Sequence, residues 1–153
     1  MSYVQTVLQP GETVRFETNR HWILYVPGLL LVVLAGVAYW LAVRPNSWYV
    51  VGMTLAVLLF AGGAIMLVRA WFERWTTEIA VTDRRIMYKR GFIWRKTKEI
   101  ALDKVESVDV DQSIPGRLLD YGNIEIRGTG QAIEELKAID SPIEFRNHVT
   151  AQH

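Results

Sequence analysis

Seven basic side chains fall within one short stretch: Arg84, Arg85, Lys89, Arg90, Arg95, Lys96 and Lys98. An anionic leaflet attracts each such residue by about 1 kcal/mol. The run is therefore the candidate lipid-headgroup contact, and solvated strand edges are the plainer reading. Alternation qualifies the first reading, since in a strand Arg85 and Lys89 share a face whereas Arg84 and Arg90 do not. An acidic series follows at Asp103, Glu106, Asp109 and Asp111. Paired carboxylates such as Asp109 and Asp111 can hold a metal or move protons. No histidine stands beside them and no calcium-loop spacing appears, so a solvent-facing strand edge is expected. Gly128-Thr129-Gly130 is too short for a phosphate loop and reads as a tight turn. Gly116 and Gly122 are expected to supply turn conformations. His21, His148 and His153 are scattered, and His21, beside Trp22, reads as an interfacial residue. No Gly-x-Ser-x-Gly elbow is present. The expectation is a non-enzyme with no catalytic residues, no cofactor and no metal. The absence of cysteine removes disulfides and thiolate metal sites. A net charge of +1 gives no global field for nucleic acid, which is not an expected partner.

The elements that must position these groups begin with two uncharged apolar runs, 22–43 and 48–68, separated by Arg44-Pro45-Asn46-Ser47. Each is close to the ~20 residues a helix needs to cross a hydrocarbon core ~30 Å thick. A membrane hairpin is the reading. The first run is longer than a signal core, starts well inside the chain and ends in no Ala-x-Ala step, so it is read as retained. Aromatic residues mark the expected interfaces: Trp22, Tyr25 and Trp40 for the first span, Trp48, Tyr49, Trp71 and Trp75 for the second. Arg15 and Arg20 precede the spans, Arg69, Arg74, Arg84 and Arg85 follow them, and only Arg44 lies between. That bias predicts both termini on the cytoplasmic side, with Pro45 and Asn46 opposite. Ala35, Ala38 and Ala42 share one helical face, and Gly52, Ala56 and Gly63 another, which suits close packing of the two helices and allows self-association. No Asp, Glu, Lys, Arg or His lies inside either span, which argues against transport.

The chain thus divides into an N-terminal segment at 1–21, the hairpin at 22–68 and a second segment at 69–153. In the last of these, period-two alternation replaces continuous apolarity. Ile79 and Val81 share a face, as do Ile86 and Tyr88, and further strands are read at 96–102, 106–111 and 123–127. Residues 133–139 fit a strand or, through Glu134-Glu135, a helix. Ser141-Pro142-Ile143-Glu144 fits a helix start with Ser141 as cap and Glu144 closing a capping box. Phe145 and Val149 then share a face. Residues 12–18 also alternate, with Val14 and Phe16 expected on one side, and are predicted to add a strand to the same sheet. Antiparallel strands followed by one helix give an α+β membrane protein whose soluble part is a small barrel or sandwich.

The run Val81-Thr82-Asp83-Arg84-Arg85-Ile86, then Arg90-Gly91, then residues 100–108, resembles the bacterial pleckstrin-homology-like, membrane-flanked domain family. So do Gly116-Arg117-Leu118-Leu119-Asp120-Tyr121-Gly122, the later Ile124, Ile126, Arg127 and Gly128-Thr129-Gly130, and the opening Pro10-Gly11-Glu12 with His21-Trp22. The resemblance implies a pleckstrin-homology-like barrel capped by a short C-terminal helix, and it offers no catalytic residues to carry over. The expected function is a membrane-anchored scaffold or protein-interaction module at the cytoplasmic face of a bacterial inner membrane. Its partners would be membrane lipids, a protein of unknown identity and a further copy of itself. The alternatives are an anionic-lipid-binding or lipid-sensing module, or an accessory subunit of a transporter or envelope enzyme.

Overall fold

The computed structural model describes residues 7–44, 48–91, 96–129 and 133–151. They form two compact units, Trp22–Phe72 and the remainder. Arg95, Gly130, His153 and residues 45–47, with the expected turn, lie outside the described residues.

The apolar unit opens with a 3-10 turn, Trp22–Tyr25, and continues as α1, Val26–Ala42. Pro27 sits in the first helical turn, where its missing N–H leaves no bond unmade. The second helix, α2, runs Tyr49–Thr76 and does not stop at Val68 as the apolar run does. Residues 69–75 contain no glycine or proline, so helix propensity carries on where hydropathy ends. Trp71 and Trp75 accordingly stand on the same helix as Trp48's neighbour Tyr49. Small residues make the packed face: Gly28, Ala35 and Ala42 of α1 are buried, as is Ala56 of α2. The outward faces are apolar and bare, with only 11% of the most apolar window of either helix buried. Both helices are long and apolar enough to cross a membrane.

The other unit is built from two antiparallel sheets. The first contains β1, Val14–Thr18; β2, Thr77–Thr82; β3, Arg85–Arg90; and β4, Lys96–Ala101, in that order. The second contains β5, Val105–Asp111; β6, Tyr121–Gly128; and β7, Ile133–Asp140. Residues 133–139 are thus strand rather than helix. The strand before the apolar hairpin and the strand after it are direct neighbours, with Phe16 opposite Val81 and Thr18 opposite Ile79. A bulge between Val14 and Phe16 overturns the expectation that these two share a face. The extra residue rotates the strand, so Phe16 packs on the main core while Val14 packs on Ala80 and Met87 on the other side of the sheet.

One core joins the sheets: Ile79, Val81 and Ile86 from the first, Ile124, Ile126, Leu136 and Ile139 from the second. The helix α4, Pro142–Thr150, closes it with Phe145 and Val149, both fully buried. Ser141 is the N-cap residue of this helix, as expected, but its side chain makes no capping bond. It adopts a left-handed conformation, φ 49°, and its hydroxyl donates instead to Asp120 Oδ2 at 2.8 Å. Nor do the ladders close into a barrel among the described residues. The chain leaves β4 through a 3-10 turn, Leu102–Lys104, that carries it from one sheet to the other. The sheets meet at one corner, where Arg20 bridges Ile139 and Asp140 N donates to Asn19 O at 3.1 Å.

Candidate functional site

The outer face of the first sheet carries a charge cluster that spans the sequence. Ala80 and Met87 form a small apolar patch there, covered by Leu8 and Val14. At its edge the Glu12 side chain is fully enclosed and Arg85 nearly so. Arg85 grips the carboxylate with two bonds, Nε to Oε1 at 2.9 Å and Nη2 to Oε2 at 2.8 Å. Thr82 Oγ1 donates to Oε1 at 2.7 Å and Gln9 N to Oε2 at 2.8 Å. Nη2 also donates to Val7 O at 3.0 Å, and Nη1 donates to Glu99 Oε2 at 2.6 Å. The Arg85 hydrogen bonds, ahead of the opposing effect of burial, hold the Glu12 carboxyl at about 2 instead of 4.5. The short Asp83-Arg84 turn sets this geometry, because Thr82 Oγ1 also accepts from Arg85 N at 3.0 Å. Arg85 is therefore neutralised inside the protein.

The rest of the basic run is divided by register. Lys89 stands opposite Thr97 and Glu78 on the face that carries Arg85. Arg90, Lys96 and Lys98 take register positions on the other face, with Arg90 opposite Lys96 and Lys98 opposite Tyr88. Arg84 sits in the turn at the far end, about 20 Å along the chain from Arg90. Arg90 also lies opposite Thr77, the residue after α2, and Gly91 N donates to Thr76 O at 3.2 Å. The positive end of the β3–β4 hairpin is thus tied to the root of the second long helix. Of the acidic series, Asp103 falls in the 3-10 turn and Glu106, Asp109 and Asp111 in β5; on the solvated face Arg127 Nε lies 3.7 Å from Asp109 and 3.1 Å from Glu125. No metal-holding group of side chains occurs among the described residues.

Of the aromatic anchors, Trp22, Trp40, Trp48, Tyr49, Trp71 and Trp75 are exposed and Tyr25 is half-buried. The Arg44 guanidinium lies 3.8 Å from the centre of the Trp40 ring, a cation–π contact at the turn end of α1. His21, by contrast, is buried. Its N–H donates to Ala138 O at 2.8 Å and its ring stacks on Tyr121 at 5.1 Å.

That stack leads to an element the sequence reading took for a turn. A five-residue helix, α3, covers Ile114–Leu118, with Ser113 Oγ accepting from Gly116 N at 3.3 Å. Pro115 suits the first turn of a helix as well as it suits a break. A Cβ on Gly116 would meet the Tyr121 carbonyl oxygen at 2.6 Å. Gly116→Ala is expected to push α3 off Tyr121 at a cost of about 1–3 kcal/mol. Hydrogen exchange should then rise at Tyr121–Gly128 and stay unchanged in β2, and unchanged exchange in β6 would refute the contact's importance.

No curated protein and no solved structure matches the chain. A family model does: the one described as Bacterial PH domain covers residues 22–152, both apolar helices and every strand from β2 onward included. With most of its length matched, from the first apolar helix to the end of α4, the chain belongs to the bacterial PH domain family.

Proposed function

We propose that this protein is a non-catalytic, membrane-anchored interaction module, with its two sheets and α4 forming a pleckstrin-homology-type domain that binds a protein partner at the cytoplasmic face. One observation carries the reading. The strands on either side of the apolar hairpin are hydrogen-bonded neighbours, and Arg20 and Glu73 pair at the two helix roots. The domain's sheet is therefore built from chain on both sides of the hairpin, and a partner would meet a surface to which both segments contribute. β4 is an edge of its sheet, and an extended peptide can add there by main-chain bonds.

The alternative, an anionic-lipid headgroup at Arg90, Lys96 and Lys98, draws support from the bond that ties Gly91 to the end of α2. Salt separates the two. Exposed charge contacts fade as ionic strength approaches ~1 M, where the screening length is only about 3 Å. The expected result is a protein that stays bound to the detergent-solubilised full chain at high salt and is lost when β4 is altered at Thr97 and Glu99. Retention of anionic lipid alone, abolished by Arg90→Glu with Lys98→Glu, would favour the headgroup reading. Release of the chain from membranes by alkaline carbonate would refute anchoring altogether. Orientation has its own check: with no native cysteine, Asn46→Cys should react with an impermeant maleimide added outside the cell.

A further inference from the structure

Ile114 and Leu118 are 78% and 82% exposed, the barest large apolar side chains described in the β unit. Four residues apart on α3, they project from one face. They are not on a loose loop. Gln112 Nε2 donates to Tyr121 O at 3.2 Å, Leu119 N donates to Pro115 O at 3.0 Å, and Gly116 brings the helix against the Tyr121 backbone. Withdrawing either side chain from water is favourable by about 1.5–3 kcal/mol, so a fold that fixes both outward has something apolar to meet.

Position and charge say what that is. Tyr121 stacks on His21, and the next residue, Trp22, opens the first apolar helix segment. From Tyr121 to Leu118 is three residues, at most about 10 Å of chain. Arg117 lies between the two apolar residues in sequence, and it lines a shallow groove with Arg146, Asp120 and Ile143. Asp120 is engaged by the Ser141 hydroxyl. An apolar pair flanked by cations is the composition of an interfacial membrane segment, whose apolar side sinks about 5–10 Å into the headgroup boundary. Two such side chains fall well short of the ~800 Å² per partner that a stable dimer face needs.

We propose that α3 is a membrane wedge: Ile114 and Leu118 insert into the headgroup–acyl boundary of the bilayer that the long helices cross, and Arg117 and Arg146 meet its phosphates. The proposal rests on the anchoring reading. The test uses the full chain in nanodiscs of phosphatidylethanolamine and phosphatidylglycerol. An environment-sensitive fluorophore is placed at Leu118→Cys, at Lys137→Cys on exposed β7, or at Val57→Cys within α2. Wedge insertion gives a blue-shifted Leu118→Cys probe, quenched about twofold by lipids carrying a nitroxide near the headgroup, while the Lys137→Cys probe is neither shifted nor quenched. A Leu118→Cys probe that behaves like the Lys137→Cys probe while Val57→Cys is quenched by deep nitroxides overturns the wedge and leaves the anchor standing. A blue shift without lipid quenching also overturns it, because protein then covers the site. An unquenched Val57→Cys probe overturns the anchor, and the wedge with it.

Discussion

Replacing Arg85 with methionine is expected to destabilise the β unit by about 3–5 kcal/mol, because it strands an ionised carboxylate in an enclosed site. Glu12 would keep only Thr82 and the Gln9 amide as donors. The reverse change, Glu12→Gln, should cost less, about 1–3 kcal/mol. Arg85 then retains Glu99 and the Val7 carbonyl, and the neutral amide still accepts a bond. The double variant Glu12→Leu with Arg85→Met should recover part of the loss, since apolar pairs often replace buried ion pairs without penalty. Pulse proteolysis of the detergent-solubilised chain reads these differences, with cleavage expected first in the segment that carries Leu8 and Val14. An Arg85→Met variant as resistant as the native chain would show that the pair holds nothing together. The same experiment sorts Arg85 from the lipid question, because its loss should appear as instability and not as salt-sensitive binding.

The ion pair also fixes an acid limit. The folded-state carboxyl of Glu12 titrates at about 2, below its ordinary 4.5. A depressed carboxyl adds stability that is complete above the ordinary value and disappears as pH falls through the folded one. The chain should therefore lose about 3 kcal/mol between pH 4.5 and 2 from this group. In Glu12→Gln that portion of the acid slope should vanish. An unchanged slope would assign acid sensitivity to other carboxylates.

Local periodicity made much of this architecture readable before any coordinates. Ile79 with Val81, and Phe145 with Val149, share faces by simple spacing, and all four are buried in one core. The resemblance carried by residues 81–91 and 116–130 pointed to the family that the chain matches. What spacing could not supply were pairings across the chain. Glu12 and Arg85 are 73 residues apart, with the whole hairpin between them. Strand alternation groups Arg85 with Lys89, but nothing local says that residues 7–14 fold over it. The bulge that turns Val14 from Phe16 is likewise set by pairing with β2 and not by composition. The short helix α3 is hidden for a different reason. Five residues are too few to show helical periodicity, and Pro115-Gly116 signals a turn and a helix start equally well. The helix α2 continues past the apolar run because hydropathy locates where a span becomes polar, whereas a helix ends where backbone bonds stop.

Gly63→Leu is expected to have the largest effect on the apolar unit. A Cβ at Gly63 would sit 2.9 Å from Val32 Cγ2, 3.0 Å from the Gly28 carbonyl oxygen and 3.1 Å from Val32 N. Two of these are backbone atoms and cannot rotate away, so the helices must separate. Gly28 mirrors the contact, its own Cβ position lying 3.2 Å from the Gly63 carbonyl oxygen. In lipid no hydrophobic force between helices offsets the loss, since the tails are as apolar as the side chains. Overpacking of this kind costs about 1–3 kcal/mol in a core that can adjust, and more where backbone meets backbone. The adjacent residue provides the control. A Cβ at Gly62 would meet only Leu31 Cδ1, at 3.9 Å, an ordinary contact. Spin labels at Val33→Cys and Leu58→Cys, both exposed on the helix surfaces, should move apart by about 2 Å in Gly63→Leu as the axes widen within the usual 8–10 Å range. They should hold their native separation in Gly62→Leu. Equal separations in both variants would mean that the small-residue face does not set the helix spacing, and would shift that role to the four-residue turn at 44–47.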